Sequence, residues 1–341
     1  MTGLVLLYNL LIEQEGDQIM HIAVMGAGSI GLLLAARLSA VTDTLEIITR
    51  TEEQADAIRR EGISVEEESI ISADKFEVIS YETKIAKRKA SHDLQFLVLA
   101  VKQFAINNEL VAFILRYITP HTTIICFQNG MGHVDKLLAH LDKERILLAV
   151  TTEGARKTGL YQVSHTGSGI TDLGYSFQDI GENAENAQKI FAGLMKRAGF
   201  EVSLSKNMGI KVWSKLIINA VINPLTAILK IRNGELLQTP SSKALMLALF
   251  SEGIAVARAN QLDLPDELWE TVLQVCKLTA DNQSSMLQDI IHSRSTEIDS
   301  INGTLLRIAE QHKLVLPVNQ VVFHMIKALE NKKVSDIVGD C

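Results

Sequence analysis

His21-Ile22-Ala23-Val24-Met25-Gly26-Ala27-Gly28-Ser29-Ile30-Gly31, running into the largely apolar stretch Leu32 to Leu38, decides the fold. The first five residues read as a short buried strand. They enter Gly-x-Gly-x-x-Gly at the mouth of a helix, which is the context a dinucleotide fingerprint requires. In that reading Gly26 permits the tight turn, Gly28 lets backbone approach a diphosphate, and Gly31 lets the helix pack on the strand. The anion rests on the helix N-terminus, where free N–H groups and the helix dipole favour negative charge. Ala27, Ser29 and Ile30 complete the candidate loop.

The next strand, Leu45 to Arg50, refines the ligand. Binders of NAD usually place an acidic residue at its end to hold the ribose 2′-hydroxyl, whereas an Arg there suits a 2′-phosphate. The end is Thr49-Arg50-Thr51, and Glu46 comes too early in the strand for that role. Arg50 offers a planar, permanently charged fork for phosphate. The expected cofactor is NADP(H).

From Met20 to about Lys206 strands and helices alternate as in a doubly wound sheet. Leu94 to Val101 is almost continuously apolar, like a central parallel strand, and Lys102 follows it. Thr122 to Phe127 is another strand, followed by Gln128-Asn129-Gly130-Met131-Gly132. Ligands of open α/β sheets bind outside the carboxyl ends of the strands, where Lys102 and Asn129 fall. Residues 66–90 carry an acidic and then a basic cluster and read as a peripheral excursion. Residues 149–174 have a β-like pattern, Ala187 to Ala198 reads as a helix, and Glu201 to Leu204 as a last strand. Beyond it only helical periodicity remains. The expected division is an extension of no assigned function at 1–19, a Rossmann-type domain at 20–206 and an all-helical domain at 207–341.

Trp213 to Pro224 is helical in spacing and almost wholly apolar, as a buried helix should be. Yet Lys215, Asn219 and Asn223 recur at i, i+4 and i+8, along one side. Burying an amide or ammonium without partners costs several kcal/mol. One cation and two amides along an apolar helix therefore point to a polar ligand in a cleft between the domains. Further on, Ser284 to Ile290 and Ser295 to Asp299 place polar groups beside core residues. In an unbroken helix Ser285 and Glu297 would lie about 18 Å apart, too far to share a small ligand. A turn through His292 to Ser295 would fold Glu297 back, and Thr296 with Asp299 forms a capping signature that predicts a new helix from Thr296. Ser285 and Asp289 read equally well as a solvated helix face.

Composition limits the partners. At 341 residues the chain suits two domains, and 47% apolar with 21% charged residues supplies ample core. A formal charge of −7 argues against nucleic acid. Leu4 to Ile12 is too short to span a bilayer and has no basic flank, so no membrane partner is expected. Cys126, Cys276 and Cys341 are odd in number, far apart and outside any CxxC pattern, which suits a reduced, cytoplasmic protein. The nine His residues show no metal-ligand spacing, and His165 and His292 read as structural, so no metal is expected.

From Met20 to about Ala328 the chain resembles the ketopantoate reductase family. The resemblance rests on the Gly26–Gly31 loop, Lys102, Gln128 to Gly132, Lys215 with Asn219 to Ala227, Asn233-Gly234-Glu235-Leu236, Ser284 to Asp289 and Thr296 to Asp299. It implies a Rossmann domain followed by a helical domain like the C-terminal one of 6-phosphogluconate dehydrogenase. It also implies NADPH-dependent reduction of 2-dehydropantoate (ketopantoate) in pantothenate and coenzyme A biosynthesis. By the resemblance, Lys215 is the general acid and Glu297 the acid between cofactor and substrate. Asn219, Asn223, Asn233, Asn282 and Ser285 are substrate ligands, and Lys102, Asn129 and Ala155 are NADP contacts. Two alternatives are a related reductase of another small 2-oxo acid and a non-catalytic NADP-binding sensor. The sensor would be expected to lack a group such as Lys215 or Glu297, and both are present. A homodimer is left open.

Overall fold

The computed structural model describes residues 20–66, 68–84 and 94–331. The extension 1–19, part of the charged excursion and Cys341 lie outside them. The strands are β1 (His21–Met25), β2 (Thr44–Thr49), β3 (Ile63–Val65), β4 (Ser69–Ile71), β5 (Glu77–Ser80), β6 (Leu94–Leu99), β7 (Thr123–Cys126), β8 (Ile146–Thr151), β9 (Gly154–Lys157), β10 (Gln162–Gly167), β11 (Ile170–Gly174) and β12 (Glu201–Leu204). Eight of them form one sheet in the order β12-β11-β8-β7-β6-β1-β2-β5. Every neighbour pair is parallel except β8 and β11. Chain order reverses direction on either side of β1, which opens a crevice at the carboxyl ends of β1 and β6.

A second sheet, β4-β3-β10-β9, packs beside the first helix. Its joint is the parallel pairing of β3 with β10. The 66–90 excursion thus contributes β4 and β5 to the two sheets.

The helices on the two faces form because each buries one apolar stripe. Leu32, Leu33 and Leu34 of helix Ser29–Leu38 share one core with Phe191 and Leu194 of helix Glu182–Arg197. Phe113, Ile114 and Tyr117 of helix Asn108–Tyr117 fill the core on the other face. That helix starts where the Asn107 side chain accepts from Leu110 N at 2.9 Å. At the opposite end of the strands from the crevice, buried Glu46 accepts from Tyr117 OH and lies 3.2 Å from His21 Nε2. Glu46 is therefore a core group remote from the fingerprint.

After β12 the chain is helical. The helix Met208–Leu229 is long and apolar enough to cross a bilayer by length and composition, but it forms the axis of the helical domain. Trp213, Leu216, Ile217 and Ala220 pack into one core, and Val221, Ile222 and Leu225 into another. Helices Pro240–Ala259, Ser285–Ile291 and Pro317–Asn331 pack against it.

Candidate functional site

Two of the three fingerprint glycines, Gly26 and Gly31, are required by contact, and Gly28 borders open space. Gly26 has φ +105°, and a Cβ there would lie 2.7 Å from Val101 N. A Cβ on Gly31 would lie 1.8 Å from Gly26 O, so the helix can approach the strand only without one. A Cβ on Gly28 would meet nothing within 4 Å and would project into open space at the helix N-terminus. That space suits a phosphate group held by free backbone N–H groups. The loop is braced from two sides: Gln54 Nε2 donates to Ala27 O at 2.8 Å, and Lys157 N donates to Ser29 Oγ at 3.0 Å. Arg50 is exposed, one residue beyond β2. Ala155 is half-buried in β9, opposite His165. His165 bonds Glu153 at 2.7 Å and Arg37 at 3.1 Å.

The ends of β6 and β7 meet the helical domain. Lys102 Nζ donates to Asp289 and, at 3.3 Å, to Ser295 O. Asn129 Nδ2 donates to a Glu297 carboxylate oxygen at 3.2 Å. Next to it, Gly130 has φ +78°, and a Cβ would fall 2.3 Å from Ser300 O. Met131 N donates to that same carbonyl at 3.3 Å. Asp289 is buried, and Arg294 Nε lies 3.2 Å from its other oxygen. Burial pushes the Asp289 carboxyl up, and the charge and hydrogen bond of Lys102 act against it. Asp289 therefore belongs to an interdomain ion cluster, and the solvated-face reading fails for it.

Lys215 reaches the same seam from the long helix. Its Nζ donates to the carbonyl of Thr151, the last residue of β8, at 2.7 Å. Burial pushes its pKa down to about 8, while the charge of Glu297 acts in the opposite direction. Glu297 is raised by burial, against the Asn129 hydrogen bond and the Lys102 charge. For both groups burial is the larger influence. A cavity of about 230 Å³ borders Lys215 and Asn129, with Trp213, Phe177 and His133 among its walls.

Asn219 is half-buried and Asn223 buried, one and two turns beyond Lys215. Asn233 is buried; its Nδ2 donates to Thr279 Oγ1 at 2.8 Å and its backbone N to Asn282 O at 3.1 Å. Asn282 itself is exposed. Ser285, also exposed, opens helix Ser285–Ile291, whose cap Ser284 accepts from Thr226 Oγ1 at 2.7 Å. The chain breaks after Ile291, and the next helix is Asn302–Gln311. Glu297 thus turns back to the seam as expected, but no helix starts at Thr296. The Thr296 N–H and hydroxyl both donate to Glu330 Oε1 at 2.7 Å. Its oxygen accepts only from Ile298 N, at 3.2 Å, so Glu297 to Ile301 forms turns instead of a first helical turn.

The structure adds three participants that the sequence reading missed: the Thr151 carbonyl, Lys157 and Arg294. The first is a backbone atom and leaves no mark in a sequence. Lys157 could have been noticed, two residues beyond Ala155.

Residues 22–177 match the family described as Ketopantoate reductase PanE/ApbA, and residues 207–330 match Ketopantoate reductase PanE/ApbA C terminal. A 2-dehydropantoate 2-reductase of Bacillus subtilis is 35% identical over 312 residues, covering 91% of this chain and 98% of that one. The crystal structure of a probable 2-dehydropantoate 2-reductase from Bacillus subtilis is similar with a TM-score of 0.73 at 32% identity, covering 91% of this chain and all of that one. D-mandelate dehydrogenase in a ternary structure with NADH and anilino(oxo)acetate shares the fold with a TM-score of 0.80 at 24% identity, covering 92% and 99% of the two chains.

Proposed function

This chain belongs to the ketopantoate reductase family, and we propose that it reduces ketopantoate to pantoate with NADPH, using Lys215 as the proton donor. The observation that carries this reading is the desolvated Lys215 ammonium, held at the interdomain seam near the Asn129–Glu297 pair. In this reading residues 20–206 hold the cofactor and 207–341 supply the substrate site and the acid.

When bound, NADPH supplies the hydride that forms the new C–H bond at the 2-oxo carbon. The carbonyl electron pair then gathers on oxygen, where a nearby cation stabilises the developing charge. Lys215 Nζ gives that oxygen a proton and is left as a neutral amine. An acid with a pKa of about 8 is matched to this task near neutral pH. Thr151 O fixes one Lys215 N–H and so aims the others. Asn129 orients Glu297 between the cofactor and substrate positions. Asn219, Asn223, Asn233, Asn282 and Ser285 bond the substrate carboxylate and 4-hydroxyl without adding charge. Lys102, Asn129 and Ala155 contact the cofactor, and Arg50 takes its 2′-phosphate.

The test follows NADPH oxidation with ketopantoate, 2-oxoisovalerate and phenylglyoxylate. A site built around a hydroxyl rejects an analogue lacking it by as much as about 10⁴-fold, because its own polar groups are left unpaired. Ketopantoate should therefore far exceed 2-oxoisovalerate in kcat/KM. Comparable values would reject ketopantoate as substrate and keep the reductase chemistry, and no oxidation with any 2-oxo acid would reject both.

A further inference from the structure

We propose that Lys157 and Arg294 form a two-domain clamp on the cofactor's diphosphate, one cation arriving from each side of the crevice. The proposal rests on the dinucleotide reading given above and adds residues to it. Lys157 ends β9, and its backbone N–H is fixed by Ser29 Oγ inside the fingerprint, so its side chain starts at the rim of the Gly28 space. Its half-buried ammonium makes one long bond, 3.4 Å to Ala27 O. No carboxylate among the described residues pairs with it within 4 Å. A partly desolvated cation left with so little compensation is costly where it stands.

Arg294 comes from the turn after helix Ser285–Ile291, in the other domain. Its Nε faces Asp289 Oδ1 at 3.2 Å, and its backbone N donates to Asp289 O at 2.8 Å. This fixes the base of the fork and leaves both terminal nitrogens without a hydrogen-bond partner among the described residues. Asp289, which holds Arg294, also holds Lys102, and Lys102 follows Val101, whose backbone N packs against Gly26, so Arg294 stands at the fingerprint end of the crevice. In keeping with that, burial lowers the Lys157 pKa first and the Arg294 charge lowers it further, with Glu53 acting in the opposite direction. Lys157, with one long bond, and the half-exposed Arg294 fork, with its terminal nitrogens facing solvent, stand on the two sides of a crevice whose helix N-terminus already favours an anion. A doubly charged diphosphate meets all of these groups together. Asp289 is then a positioning residue, because it aims Arg294 and also holds Lys102 from the nucleotide side. Closing the domains would bring Arg294 to a cofactor already bordered by Lys102.

The experiment measures Kd for NADPH and NADH by fluorescence titration with the full chain, comparing wild type, Lys157→Met, Arg294→Met and Lys157→Arg. Losing one charge-assisted contact weakens binding about 10- to 100-fold. Both Met variants should weaken NADPH and NADH by the same factor, because the two cofactors share the diphosphate. Lys157→Arg should recover most of the loss, and added salt should shrink the difference between wild type and variants. Loss confined to NADPH would show that these cations read the 2′-phosphate and would overturn the clamp. Loss at Lys157 alone would confine the contact to one domain and overturn the clamp as well. So would unchanged affinity in variants whose urea midpoints match wild type. If wild type binds neither dinucleotide, the cofactor reading itself fails, which is a separate outcome.

Discussion

Replacing Lys215 by Met should cripple turnover and stabilise the protein. The fall of its pKa from 10.5 to about 8 is a free-energy statement. At about 1.36 kcal/mol per pH unit it corresponds to roughly 3 kcal/mol by which the folded state disfavours the charged form relative to the unfolded chain. Met removes that penalty and forfeits the 2.7 Å bond to Thr151 O, worth about 1 kcal/mol net. A gain of about 1–3 kcal/mol at pH 7 is expected. The pH dependence gives the sharper signature. Below pH 8 both states of the wild type carry the proton and the whole penalty is present. Between about pH 8 and 10.5 the unfolded chain binds the proton more than the folded one does, so stability rises with pH. The advantage of the variant should therefore shrink by up to about 1.4 kcal/mol per pH unit across that window. Trp213 and Trp269, the only two Trp in the chain, both lie in the helical domain, so their fluorescence in urea titrations reports the domain that carries Lys215. In activity, Met should lower kcat by about 10²–10⁴-fold with little change in NADPH affinity. Wild-type kcat/KM should fall above pH 8 as the acid loses its proton. A variant that is less stable at every pH, or whose advantage stays constant from pH 7 to 10, would refute the desolvated-ammonium reasoning.

Arg50→Ala should weaken NADPH by about 1.5–3 kcal/mol and NADH hardly at all, and equal losses for the two in a titration would show that Arg50 does not read the phosphate. Gly28→Ala and Gly31→Ala should separate binding from folding. The added methyl of Gly28→Ala enters open space and should cost dinucleotide affinity at unchanged thermal stability, whereas that of Gly31→Ala meets Gly26 O and should cost about 1–3 kcal/mol of stability. Wild-type cofactor affinity in Gly28→Ala would place the phosphates elsewhere.

The parts of the fold that the sequence exposes are those with local causes. β12 lies at Glu201–Leu204 as its pattern predicts, and the main strands end within two residues of expectation. Alternating apolar runs and a glycine motif act within a few residues, so they can be read without knowing the rest of the chain. The small sheet escapes such reading because β3 and β10 are three- and six-residue strands whose pairing joins Ser64 and Val65 to residues nearly a hundred positions later. The start of the Asn302 helix escapes for a related reason. The capping signature at Thr296 is intact, but Glu330, from the last helix, accepts from the Thr296 backbone N–H that Asp299 would otherwise cap, and from its hydroxyl. In the site, the periodicity of Lys215, Asn219 and Asn223 is legible because it is helical. Asp289 is not, because its role depends on Lys102 arriving from the other domain.

The acidity of the proposed proton donor is a property of the seam between the domains. Lys215 lies on a helical-domain axis whose apolar packing is independent of charge. Burial at the seam desolvates its ammonium, and the carboxyl end of β8, from the nucleotide domain, replaces one lost water with Thr151 O. The counter-charge, Glu297, belongs to the helical domain but is oriented by Asn129 of the nucleotide domain. Asp289 and Lys102 join the same two domains next to it. Separating the domains would change the solvation of Lys215 and break the Asn129 bond that orients Glu297, and burial and the Glu297 charge act on the Lys215 pKa in opposite directions. Opening the seam admits water and relieves the desolvation, which returns Lys215 toward its ordinary, firmly protonated state. Closing it restores a proton donor near pH 8. In the proposed mechanism, proton transfer would thereby be tied to the geometry that also excludes water from the reacting carbonyl.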